Sequence, residues 1–235
     1  MHTLVAFVRS LIFIMLQAIA TILFGVIAML ILPLPYKFRY KVITLWSKFV
    51  ILLAKYICGI EYQVRGLENL LQTPAILLCN HQSAWETLFL QTILPYQCWV
   101  VKKELLSVPF FGWGLWALEP IAIDRKKSSS LRQLVEQGKA KLKAGRWVVL
   151  FPEGSRVAPG KLGKFSKSGA LLAKESQMPI IPMAHNAGNC WPRNAFIKKA
   201  GIIRVNIGPA IYPNTLTTDE IHQRTESWIK EKLPL

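Results

Sequence analysis

The stretch Ala75-Ile76-Leu77-Leu78-Cys79-Asn80-His81-Gln82-Ser83-Ala84-Trp85-Glu86 decides how the chain folds. Five consecutive apolar residues, bounded by a polar turn, read as a strand buried on both faces. Ser83-Ala84-Trp85-Glu86 then has the S-x-x-E spacing of a capping box, with Ser83 as N-cap of a helix over 84–94. Strand, polar turn and helix in that order form the repeating unit of an α/β protein. A second such exit follows about 70 residues on, where the apolar run 147–151 leads into Pro152-Glu153-Gly154-Ser155-Arg156.

Both turns carry side chains with chemistry. Residues five apart on one helix point about 140° from each other, so His81 and Glu86 do not meet inside a helix. They meet when His81 stands in the turn and Glu86 in the first helical turn, which is where the capping box puts them. A histidine has an unperturbed pKa of about 6.5 and can take a proton at neutral pH. A carboxylate on its other ring nitrogen fixes the tautomer and steadies the imidazolium. The bland alternatives are a Glu86 that only caps the helix and a His81 that is a hydrogen-bonded loop residue. In the second turn, Gly154 permits a tight bend, exposed backbone N–H groups can meet an anion, and Arg156 can grip a phosphate with its planar fork. Glu153 is read as orienting Arg156 or a substrate hydroxyl. The bland alternative is a strand-ending turn with a surface ion pair.

The same alternation runs through the rest of the chain. Strands are expected at 61–64, 75–79, 98–101, 121–123, 147–151, 180–183 and 204–207, and helices at 84–94, 110–118, 129–144, 167–175 and 218–232. No internal repeat or low-complexity tract interrupts them.

The first sixty residues differ in kind. Residues 11–32 carry no charge and, as a helix, reach about 33 Å, enough to cross a bilayer core. Pro33 and Pro35 stop that helix. Ala18-Ile19-Ala20 has the residues of a signal-peptide cleavage site but lies inside the apolar run, against cleavage. Lys41, Lys48 and Lys55 then recur every seven residues among apolar neighbours, the pattern of an amphipathic helix lying in a membrane interface or, alternatively, packed on a core with a solvated stripe. Arg9 precedes the apolar run and Lys37, Arg39 and Lys41 follow it, so the C-terminal side is expected to be cytosolic. A single span and a two-helix anchor in one leaflet both fit. The chain divides into membrane-associated helices at 1–60 and a catalytic domain at 61–235.

Bulk properties agree. The 235 residues carry 29 Lys and Arg against 13 Asp and Glu, a net charge of +16, which favours anionic partners. Mean hydropathy is also positive, ordinary for a membrane-associated enzyme and unusual for a nucleic-acid binder. Cys58, Cys79, Cys98 and Cys190 form no close pair, so neither a zinc site nor a redox motif is expected, and their scatter suits a reducing compartment. No metal-binding pattern or nucleotide loop is present.

Together, in this order and spacing, the two turns resemble the motifs of the glycerolipid acyltransferase family, its phosphatidic-acid-forming members in particular. Phe151-Pro152-Glu153-Gly154-Ser155-Arg156 matches that family's phosphate motif at every position. The family's other motif is a histidine, four residues, then an aspartate; here Glu86 takes the acidic position, one methylene longer. Lys102-Lys103 through Pro109-Phe110-Phe111-Gly112 to Asp124-Arg125 resembles a further family block, and Met178–Met183 a proline-flanked fourth. The resemblance covers about three quarters of the chain.

It implies an αβ sandwich around a mixed sheet, with an N-terminal membrane-anchoring helical segment of the kind that dips into one leaflet. It assigns His81 as general base, Glu86 as its orienting acid, and Glu153, Gly154, Ser155 and Arg156 as the acceptor's phosphate site, joined there by Arg125. Lys102 and Lys103 either join that phosphate site, attract the donor's phosphates, or are solvated charges. Phe110, Phe111, Trp113 and Trp116 are either an acyl channel or core. Lys161, Lys164 and Lys167 are read as a solvated face, or else as meeting anionic lipid, the acceptor or the acidic surface of acyl carrier protein, and His185 and His222 as structural.

The expected reaction is acyl transfer from acyl-CoA or acyl carrier protein to the sn-2 hydroxyl of lysophosphatidic acid, by direct attack, with no cofactor and no metal. Partners are membrane lipids and these substrates, with no nucleic acid, and the expected location is the inner (cytoplasmic) membrane facing the cytosol. Three readings compete: another lysolipid acceptor such as a lyso-ornithine lipid, a non-catalytic lipid-binding protein, and a basic nucleic-acid binder. The last leaves the apolar N-terminus unexplained.

Overall fold

The computed structural model describes residues 2–124 and 129–234. Among them, seven strands form one sheet: β1 (Ile60–Arg65), β2 (Ile76–Cys79), β3 (Gln97–Lys102), β4 (Ile121–Ile123), β5 (Trp147–Leu150), β6 (Ile180–His185) and β7 (Gly201–Ile207). Their order is β1-β7-β6-β2-β5-β3-β4. Only β6 and β7 run antiparallel, so the sheet is mixed, as expected.

Seven helices accompany it: α1 (His2–Leu30), α2 (Tyr36–Tyr56), α3 (Trp85–Ile93), α4 (Phe111–Ala117), α5 (Ser130–Lys143), α6 (Ser168–Ser176) and α7 (Thr218–Lys232). The period of two along the central strands divides them into two layers. Leu77, Cys79, Trp147, Val149, Ile181 and Met183 face one core, shared with α1, α2 and α3. Ile76, Leu78, Val148, Leu150 and Ile180 face the other, under α5 and α6. Gly169 lets α6 press onto β2, since a Cβ there would stand 2.6 Å from Leu78.

Helix α1 is long and apolar enough to cross a membrane, yet it is fastened to the catalytic part along its length. Ser10 accepts from the Lys198 N–H at 2.8 Å, Phe13 packs edge-on against Trp191, and Thr21 accepts from Trp46 at 3.2 Å. At Gly25 the fit is closest: a Cβ would lie 2.7 Å from the backbone of Phe110, which itself sits at φ 61°. On α2, Lys41, Lys48 and Lys55 are exposed, and so are the apolar Leu45, Phe49 and Leu52 beside them.

Arg39, expected among the flanking charges of the anchor, is buried instead. Its guanidinium donates to the Ala117 carbonyl at 2.9 Å and pairs with Glu119 at 2.6 Å. Glu119 also takes Arg146 at 2.8 Å and Lys141 at 3.3 Å, tying α2 to α5 and β5. Burial pushes the Glu119 carboxyl up, but Arg146, Arg39 and Lys141 outweigh it and hold it down to about 2. A carboxyl lowered from 4.5 to about 2 stabilises the fold above the higher value and loses that contribution as pH falls through the lower one. Glu119→Gln is therefore expected to lower the melting temperature at neutral pH, and the gap to wild type should narrow as pH drops from 4.5 towards 2. Thermal unfolding across that range checks it.

Candidate active site

The two turns lie far apart in sequence and meet because β2 and β5 are parallel neighbours, with Leu78 opposite Leu150. Both chains leave the sheet at the same edge, beside one another, and their loops converge there. Val157 N–H donates to the His81 carbonyl at 2.8 Å, and the His81 ring stacks on Phe151 with centroids 4.1 Å apart. Gly154 sits at φ 68°, the left-handed region that the bend requires.

His81 and Glu86 meet as their spacing predicts. His81 Nδ1 and Glu86 Oε1 are 2.7 Å apart, with the carboxylate fully buried. The same oxygen accepts the backbone N–H groups of Gln82 at 2.9 Å and Ser83 at 2.8 Å. One oxygen thus both pairs with His81 and holds the turn that leads into α3. The extra methylene of Glu costs no contact, because helix α3 begins one residue later than expected. Its N-cap is Ala84, not Ser83, and the Ser83 hydroxyl accepts from Trp85 N–H rather than closing the box at Glu86. Burial pushes the Glu86 carboxyl up, but the bonds it receives from His81 and the Ser83 N–H help hold it below the usual value. Ionised Glu86 accepts, so Nδ1 donates, and Nε2 keeps its lone pair.

Behind this pair stands His185, which belongs to no motif. Its ring is wholly buried, with Nδ1 accepting Ala187 N–H at 3.1 Å and Nε2 against the Asn80 carbonyl at 2.9 Å. Burial lowers it, and its Nδ1 acceptor role marks the neutral ring. Asn80 and His185 also exchange side-chain to backbone bonds at 3.0 Å each way. The expectation of a structural His185 fits this packing, in which it locks the end of β6 to the His81 turn.

Glu153 differs from its expected role. Its carboxylate reaches neither Arg156 nor the cavity wall; it accepts His81 N–H at 3.0 Å and Gly163 N–H at 3.3 Å, and so ties the two turns together. Burial dominates and pushes its carboxyl up to about 7, against the two N–H donors, with Glu86 adding to the rise.

A cavity of about 720 Å³ opens beside His81. Its lining includes the polar His81, Lys102, Ser155, Arg156, Arg193 and Asn194 with Gly154. Its apolar lining comes in large part from Phe24 and Gly25 of α1, Ile43 and Trp46 of α2, and Phe110, Phe111 and Leu115, with Thr21 beside them. The lysine pair divides: Lys102 lines the cavity and Lys103 points to solvent away from it. The aromatic set divides too, since Trp113 and Trp116 are exposed outside the wall. Arg125 lies outside the described residues. Lys167 pairs on the surface with Asp219 at 2.7 Å, and His222 with Glu226 on α7. Cys79, the thiol nearest the turn, is fully buried and burial pushes it well above its usual value, which removes it as a nucleophile.

Arg193 and Asn194 were not foreseen. They follow β6 in a Trp-Pro-Arg-Asn turn that resembles any surface loop, and no local signal distinguishes them.

If the pair acts as base and orienter, Glu86→Gln lowers kcat by about 10²- to 10⁴-fold, leaves substrate KM nearly unchanged, and matches the loss in His81→Ala. Steady-state kinetics on the two variants measures this. A carboxyl raised from 4.5 to about 7 binds its proton more tightly when folded, so wild type loses stability as pH rises through that window. Glu153→Gln escapes the loss, and its melting temperature relative to wild type should be higher at pH about 8 than at about 5.

A family model described as acyltransferase matches residues 61–186. Over 234 residues the chain is 43% identical to a 1-acyl-sn-glycerol-3-phosphate acyltransferase of Pseudomonas aeruginosa, covering 96% of this chain and 90% of that one. A protein of the same description from Limnanthes alba is 28% identical over 86% of this chain and 73% of its own length. The crystal structure of a 1-acyl-sn-glycerophosphate acyltransferase from Thermotoga maritima superposes with a TM-score of 0.83, at 20% identity, over 98% of this chain and 95% of that one; at that identity the likeness speaks for the fold.

Proposed function

The chain belongs to the acyltransferase family, and from that premise we propose that this O-acyltransferase moves a fatty acyl group from a thioester to the sn-2 hydroxyl of lysophosphatidic acid, making phosphatidic acid for phospholipid synthesis. The observation that carries the reading is the His81–Glu86 pair, 2.7 Å apart, standing where a phosphate-suited arginine turn opens into an apolar cavity.

His81 Nε2 takes the proton from the acceptor hydroxyl as its oxygen attacks the thioester carbon. Buried Glu86 steadies the imidazolium through Nδ1. The tetrahedral intermediate collapses, the C–S bond breaks, and the imidazolium returns its proton to the departing sulfur. The acyl ester and a free thiol result, with no covalent enzyme intermediate and no cofactor. Arg156 and the Ser155 backbone hold the acceptor phosphate, with Gly154 supplying the bend, its N–H donating to the Phe151 carbonyl at 3.0 Å, and so fix the hydroxyl against His81. The donor is acyl-CoA or acyl carrier protein.

The acyl tail runs along the apolar lining of the cavity. Part of that lining comes from α1 and α2, so the lipid can enter from the bilayer without crossing water. Residues 1–60 act as the anchor and 61–235 as the catalytic domain. Because α1 is bound to the catalytic part from Ser10 to Gly25, it is read as lying in one leaflet, with the Lys41, Lys48 and Lys55 stripe at the headgroups. The location is the inner membrane, catalytic part towards the cytosol.

Transfer of a labelled acyl group from acyl-CoA to lysophosphatidic acid in detergent micelles tests the reading, with His81→Ala as control. Turnover that is lost in the variant is the expected result. Turnover only with acyl carrier protein corrects the donor, turnover only with another lysolipid corrects the acceptor, and none with any acceptor overturns the enzyme reading.

A further inference from the structure

Arg193 stands outside every motif and lines the same cavity as His81, Ser155 and Arg156. The turn that carries it is fastened on two sides. Towards the catalytic turns, Gly188 N–H donates to Gln82 Oε1 at 3.2 Å, and Arg193 Nη1 donates to the Arg156 carbonyl at 3.0 Å. Towards the anchor, the Lys198 N–H bonds Ser10, Trp191 packs on Phe13 at 5.1 Å, and Phe196 on Phe7 at 5.0 Å. The loop is therefore held in place, and the exposed guanidinium of Arg193 is presented at the cavity mouth next to Arg156.

That placement is electrostatically lopsided. Among the described residues lining the cavity are three permanent cations, Lys102, Arg156 and Arg193, and no Asp or Glu. Arg193 bonds the Arg156 backbone and its charge acts against that of Arg156, a repulsion that an anion between them would relieve. Arg156 is half-buried, which sharpens the demand for a counter-charge.

We propose that Arg193 and Arg156 form a two-guanidinium clamp for the phosphomonoester of the acceptor, and that Arg193 makes the enzyme prefer a monoester over a phosphodiester headgroup. The assignment rests on a lysophospholipid being the acceptor. A phosphomonoester carries close to two negative charges at neutral pH and offers three terminal oxygens, enough for two planar forks. A phosphodiester carries one charge and two such oxygens, and its extra substituent must occupy the space of the third. Asn194, which follows at φ 56° and also lines the cavity, adds an uncharged donor.

The test is steady-state kinetics of the full chain in micelles, using the thioester donor that wild type accepts, with lysophosphatidic acid and lysophosphatidylglycerol as rival acceptors. Arg193→Gln should raise the KM for lysophosphatidic acid about ten-fold or more, keep kcat and donor KM within about two-fold, and shrink the preference for the monoester by a similar factor. Arg193→Lys, which keeps the charge and loses the fork, should fall between. A rise in donor KM with acceptor KM unchanged would assign Arg193 to the donor's phosphates and overturn the proposal. No change in either would make it a solvated charge. If Arg193→Gln fails to fold by circular dichroism, Arg193→Lys decides, and an unmoved acceptor KM in it overturns the clamp. A wild type that turns over lysophosphatidylglycerol but not lysophosphatidic acid refutes the acceptor reading itself, whatever the variants do.

Discussion

One carboxylate oxygen organises the site. Glu86 Oε1 receives His81 Nδ1 and the backbone N–H groups of Gln82 and Ser83, all within 2.9 Å. A fully buried carboxylate is costly unless its lone pairs are occupied; three donors converge on Oε1, while Oε2 is buried without a hydrogen-bond partner among the described residues. The same arrangement starts α3, shapes the turn before it, and fixes which ring nitrogen of His81 is left to take a proton. The oxygen that pairs with His81 also holds the two backbone N–H groups just before α3, so the placement of the His81 ring depends on the shape of that turn.

The second constraint is the junction between catalytic part and anchor. Helix α1 carries no charge beyond Arg9, but it is not an independent peg. Its contacts with Lys198, Trp191, Trp46 and Phe110 make it a wall of the cavity. The helix lines the cavity with Thr21, Phe24 and Gly25 and exposes Leu4, Met15, Ile19 and Leu23 elsewhere along its length. Under the proposed function this arrangement would spare a lipid tail exposure to water.

Much of this was legible in the sequence. Every strand was placed, because period-two or unbroken apolar runs bounded by turns leave little choice for segments so short. The meeting of His81 with Glu86 was legible because the contact is local, although the capping box with Ser83 as N-cap that supported it does not form. The reach of the longer Glu was not legible, and neither was the one-residue delay in α3 that accommodates it, because a helix start is decided by which N–H groups find acceptors in the packed turn.

What only tertiary structure decided involves partners far apart in the chain. The sheet order made β2 and β5 neighbours and so joined the two turns. It aimed Glu153 at the His81 and Gly163 N–H groups rather than at Arg156, buried Arg39 against Glu119, and separated Lys102 from Lys103. It also carried Arg193 from an unremarkable loop after β6 to the cavity mouth. Sequence determines the local hydrogen bonds and the apolar faces, whose range is a few residues. Which distant charges share a cavity depends on the order in which those faces stack, and local pattern carries no information about that.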